Sequence, residues 1–137
     1  MTQEDKQLLL KDLSARLPYR VHLRTNSTDD MELLDIIRDT DYEDQFWING
    51  YYDIEDIKPY LRPMSSMTEE EKHELLKFGV VNLDKDNNAI DVCCVGFESH
   101  AKVQDYLNSI HFDYRGLIEK GLAIEVTEEN NPYKNDI

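Results

Sequence analysis

The chain has 137 residues, 15 of them basic and 29 acidic, for a formal net charge of −14, and 40% are apolar. That size supports one ordinary domain and is short for two. No run approaches the roughly 20 apolar residues of a membrane span, and the charge argues against direct nucleic-acid binding, which rests on Lys and Arg at phosphates, and against anionic membrane surfaces.

Residues 2–17 predict an amphipathic helix. Thr2 stands at the N-cap, Asp5 at the third helical position, and Leu9, Leu10, Leu13 and Leu17 repeat at helical spacing before Pro18 ends the run. This acidic opening does not read as a secretory signal, so a cytoplasmic location is expected. Residues 19–25 alternate, with Tyr19, Val21 and Leu23 on one face, as a half-buried strand does. A turn cluster at 26–30 leads to an apolar run over 31–38, read as one strand, and then to an acidic loop over 39–44. Phe46, Trp47 and Ile48 form the next strand. Asn49-Gly50 is a strong hairpin signal that folds 51–54 back as a fourth. The first half therefore reads as a small antiparallel meander with a helix against it.

The stretch 53–71, DIEDIKPYLRPMSSMTEEE, joins this half to the rest. Pro59 and Pro63 push the residues before them toward extended backbone and cannot donate to a ladder. Neither an interior helix nor a central strand is expected over 58–63. Thr68 with Glu71 is a capping-box pattern opening a helix over 68–78, with Glu69 and Glu70 favoured by the helix dipole and Gly79 as its C-cap. Residues 80–83 and 89–97 flank the turn 84–88 as a second hairpin. A helix from Glu98 or Ser99 to about 111 buries Val103, Tyr106, Leu107 and Ile110. Phe112 and Leu117 plug a core. Gly116 and Gly121 permit tight turns, and residues 122–126 dock as a short strand.

Recognisable chemistry is sparse. The run 84–88 starts like a calcium loop, but Ala89 stands where Gly is needed and Val95 where a bidentate Glu is needed. His22, His73, His100 and His111 form no ligand-spaced pair, and Cys93-Cys94 is neither a CxxC motif nor a plausible disulfide, so two free thiols are expected. There is no nucleophile elbow and no Gly-rich phosphate loop. No catalytic residue, metal or cofactor is assigned. The remaining candidate is an aromatic interaction surface of Trp47, Tyr51, Tyr52, Tyr60 and Arg62, residue types enriched at protein interfaces.

Three stretches, MTQEDKQLLLKDLSARLPY, IEDIKPYLRPMSSMTEEE and LNSIHFDYRGLIEKGLAIE, resemble a family of short uncharacterised proteins from gut Bacteroides-type bacteria, their phages and mobile elements. Residues 20–45 and 80–100 depart from that pattern. The resemblance implies a bacterial or phage cytoplasmic context and carries no activity.

The expected fold is α+β, a small antiparallel β-meander and hairpins with three packed helices. It is read as one domain over 1–126, with two sub-lobes joined near 53–68 and a polar, frayed tail over 127–137. The expected function is non-enzymatic binding of another protein, or of itself, by a protein of a bacterium or its mobile elements. Two alternatives stand beside it: inhibition of a nucleic-acid enzyme by charge mimicry, and a small enzyme with an unrecognised carboxylate site.

Overall fold

The computed structural model describes residues 1–27, 29–39, 41, 45–77, 80–83, 89–92 and 97–133. The readings placed at 84–88, at Cys93-Cys94, at the Gly79 cap and over most of the 39–44 loop lie outside them.

Helix α1 spans Gln3–Arg16. Its capping box is complete: Thr2 Oγ1 accepts from the Asp5 N–H at 3.0 Å, and the Asp5 carboxylate accepts from the Thr2 N–H at 3.3 Å. Leu9 and Leu13, one turn apart, are fully buried, each worth about 1.5–3 kcal/mol of apolar transfer. Pro18 allows only a 3-10 turn, Leu17–Tyr19, after which Arg20 takes a left-handed φ of 57° and reverses the chain.

Strands β1 (His22–Thr25) and β2 (Asp30–Glu32) pair antiparallel. The apolar run 31–38 is not one strand. It breaks at 33–35, so that β3 (Ile36–Arg38) joins β4 (Phe46–Ile48) and β5 (Tyr52–Asp53) in a separate three-stranded sheet. The cause is Asn49. Its Oδ1 accepts from the N–H groups of Leu34 (2.7 Å) and Asp35 (3.2 Å), and its Nδ2 donates to the Glu32 carbonyl at 2.8 Å. One amide side chain thus takes the Leu34 and Asp35 N–H groups, while the Leu33 N–H donates to the Val21 carbonyl and the Asp35 carbonyl accepts from the Asn49 N–H, both at 2.9 Å.

The main departure from expectation is the central stretch. Residues Ile57–Pro63 form β6, the longest strand and the hub of a five-stranded sheet ordered β10-β6-β1-β2, with β9 also on β6. Here β9 is Phe112–Asp113 and β10 is Ile124–Glu125, both parallel to β6. The prolines are tolerated because of the edge each one faces. Along a strand, successive backbone groups point to opposite edges. The Asp56 carbonyl accepts from Asn26 on the β1 side, whereas the Leu61 carbonyl accepts from Val126 on the β10 side. Pro59 and Pro63 share the parity of Leu61. Their missing N–H groups face the β10 edge, on either side of the Tyr60–Leu61 segment that β10 pairs.

Where β1 leaves β6, a side chain completes the ladder. The Tyr133 hydroxyl accepts from the His22 N–H at 2.9 Å and donates to the Tyr60 carbonyl at 2.8 Å. Its ring stacks on His111 at 3.8 Å and meets His22 edge-on at 4.9 Å. The 127–133 segment, expected to fray, is therefore tied to the sheet.

The second half carries α2 (Glu69–Lys77), the antiparallel pair β7 (Val80–Leu83) and β8 (Ala89–Val92), and α3 (Phe97–Ser109). The capping box of α2 is present, with Thr68 Oγ1 accepting from Glu71 N–H at 3.2 Å and Glu71 Oε1 accepting from Thr68 N–H at 2.9 Å. The fold is α+β, with antiparallel hairpins and three helices among the described residues.

Two apolar clusters fill it. One joins α1, β1, β4 and β6 with Leu117 and Leu122; the other joins Met64, Met67 and Leu75 with Val103, Leu107 and Phe112. At the foot of α1 lies a buried charge network. Asp12 and Arg16, both with no side-chain exposure, pair at 2.8 Å, and Arg115 reaches the second Asp12 oxygen at 2.9 Å. Arg16 also donates to the Phe112 carbonyl.

Candidate functional site

The three-stranded sheet has two unlike faces. Residues directly opposite in an antiparallel pair share a face. Ile36, Ile48 and Tyr52 form the inner row; Ile48 is fully buried and the other two pack beside it. Ile37, Trp47 and Asp53 form the outer row. Ile37 is 49% exposed. At the turn end, Leu34 is 72% and Tyr51 75% exposed. With Met1, these are the exposed large apolar side chains of the described residues.

The turn that presents Tyr51 is encoded locally. Asn49 and Gly50 both take positive φ, 54° and 75°, and the Ile48 carbonyl accepts from the Tyr51 N–H at 3.2 Å. Asn and Gly are the residues that enter this region at least cost. The register Ile48↔Tyr52 leaves Tyr51 at the tip. Its ring meets Tyr52 edge-on, with centroids 4.9 Å apart.

Polar groups fix the outer row. The Trp47 indole N–H donates to Asp39 Oδ2 at 3.0 Å, and Gln45 Nε2 donates to Asp53 Oδ2 at 2.7 Å. Asp53 Oδ1 also accepts from the Glu55 N–H at 3.1 Å. Burial pushes the Asp53 carboxyl up, but the Gln45 and backbone hydrogen bonds and the nearby Lys6 charge outweigh it and hold the group below its ordinary value. Asp53 is thus held as an anion beside the tryptophan.

The five candidate interaction residues do not form one surface. Trp47 and Tyr51 belong to the exposed sheet, and Tyr52 packs inward. Tyr60 is 1% exposed; its hydroxyl donates to Asp30 Oδ1 at 2.8 Å, and Arg24 lies 5.2 Å over its ring. Arg62 forms a two-pronged pair with Glu71 at 2.7 and 2.8 Å and sits 4.2 Å over the Phe112 ring. It locks β6 to α2. Tyr60 and Arg62 act inside the fold.

Sequence reading did not single out Leu34 and Ile37 as surface residues. Taking 31–38 as one strand hid the break that exposes Leu34. The adjacent pairs Leu33-Leu34 and Ile36-Ile37, which do not alternate, were the available signal.

Among the described residues no group of three or more His, Cys, Asp or Glu could hold a metal ion, and no helix is long and apolar enough to cross a membrane. No family model matches the chain, and no curated protein or solved structure does.

Proposed function

We propose that this chain is a protein-binding module, encoded by a bacterium or its mobile elements, that engages its partner through the outer face and turn end of the β3–β5 sheet. The observation that carries this reading is the exposure of Leu34, Ile37 and Tyr51, the most exposed large apolar side chains of the described residues, along the outer row and turn end beside a hydrogen-bonded Trp47. Aromatic anchors held rigid by second partners are what interface hot spots use. Asp39 and Asp53 flank Trp47, and Asp35 adjoins Leu34 at the turn end, so the partner surface it fits is apolar with a basic rim. The three stretches that resemble proteins of gut bacteria and their phages support the biological setting.

Two facts weigh against the alternatives. Asp12, Asp53, Glu71 and Asp113 spend their oxygens on internal donors, which leaves fewer acids to imitate phosphates. Among the described residues, the carboxylates with displaced pKa values, Asp53 and Glu71, are both lowered, the reverse of what a general acid needs.

The test is affinity capture from a bacterial lysate with tagged wild type and with the surface variant Ile37→Glu/Tyr51→Ser. A stoichiometric partner that survives high salt on the wild type and is lost on the variant is expected. Capture of one basic nucleic-acid enzyme at low salt alone, unaffected by the variant, would favour charge mimicry instead.

A further inference from the structure

Between the first turns of α1 and the β3–β5 sheet lies a cleft of about 290 Å³, lined by Gln3, Lys6, Gln7, Leu10, Arg38, Phe46 and Ile54. It lies on the inner side of the sheet, since Phe46 and Arg38 pair opposite each other and share the parity of Ile36 and Ile48. It is therefore distinct from the outer patch.

We infer that this cleft binds a small apolar carboxylic acid. The lining is mainly apolar, with Leu10, Phe46 and Ile54 as its hydrocarbon part. Its charged members, Lys6 and Arg38, are both cations. In a chain with 29 acids and 15 bases, a lining that holds two bases and no acid among the described residues runs against the overall charge. Arg38 is exposed, and its planar fork suits a carboxylate held by two parallel bonds. Lys6, paired with Glu55 at 2.9 Å, adds a second positive charge to the same lining. Gln3 and Gln7, one turn apart on α1, add amide donors at the rim. The volume sits at the small end of ligand sites, about 300 Å³ and upward, so the fit is a single ring or a short branched chain with one carboxylate.

The test is a titration of the full chain with phenylacetate and, separately, with phenylacetamide, followed by amide and side-chain NMR shifts. Saturable shifts at Gln3, Gln7, Leu10, Arg38 and Phe46 are expected with phenylacetate. The neutral amide should bind at least about tenfold more weakly, the usual weight of a charged hydrogen bond. Arg38→Gln, an exposed substitution whose folding the same spectra check, should weaken phenylacetate by a similar factor. Equal binding of acid and amide, unchanged binding to Arg38→Gln, or no saturable shift at the cleft would overturn the inference. None of these outcomes bears on the outer patch.

Discussion

Single side chains carry much of this fold's specificity. Asn49 serves twice, as a left-handed turn residue and as the clamp on the 32–35 break. Replacing it by Gly keeps the turn and loses the clamp; replacing it by Ala also strains the backbone. Asn49→Ala should therefore be less stable than Asn49→Gly by about 1–2 kcal/mol, the cost of a left-handed residue with a Cβ, as read by urea unfolding. Asp12, itself buried, neutralises two guanidinium groups. Asp12→Ala leaves Arg16 buried without its partner and should cost about 3–5 kcal/mol in the same assay. Glu71 sets a pH limit. Burial raises its carboxyl, but the Arg62 fork, the Thr68 bonds and the Arg62 charge outweigh that and hold it below its ordinary value of 4.5. A carboxyl lowered on folding adds stability above its unfolded value and loses it as pH falls through the folded one. Stability should drop on that acid limb, and Glu71→Gln should flatten it in a pH series of unfolding curves.

At the scale of elements, β6 decides the topology. Its prolines cost little because of the edge they face, and that is testable. Pro59→Ala should shift stability by less than about 1 kcal/mol. Lys58→Pro, which places the missing N–H on the β1 edge opposite Arg24, should cost about 3 kcal/mol or more. Helix caps and turns were legible in the sequence because their chemistry is local: Thr2 with Asp5, Thr68 with Glu71, Asn49 with Gly50. The antiparallel pairing of β7 with β8 followed from the hairpin expected over 80–83 and 89–97, whose second strand is shorter than expected, and the buried face of α3, Val103 and Leu107, followed from periodicity. β6 was not legible, because a proline's tolerance depends on which strand lies on which side. Nor was β9, whose two residues leave no pattern, whereas β10 falls inside the short strand expected over 122–126. For the candidate site, Trp47 and Tyr51 could be picked out by residue type. The burial of Tyr60 could not, because it needs Asp30 and Arg24 brought in from distant positions.

For the molecule as a whole, the net charge of −14 means that surface carboxylates repel one another in the compact state. Screening acts at roughly 10 Å in 0.1 M salt, so added sodium chloride should raise the midpoint of thermal unfolding, while the buried Asp12–Arg16–Arg115 network responds little. On the proposed reading, the same acidity opposes the approach of two like patches around Ile37 and Tyr51 and favours a partner with a basic rim.

The order of pairing along β6 has a consequence for synthesis. β6 leaves the ribosome with β1 already made along one edge, but β10, its partner on the other, comes only with 124–125. Until that stretch emerges, a nascent chain presents the longest strand of its sheet with one edge unpaired, the feature that invites strand addition between chains. Pro59 and Pro63 lie on that edge, where two missing donors make it a poor template. The residues that obscured the strand in the sequence are the ones that guard it while it waits.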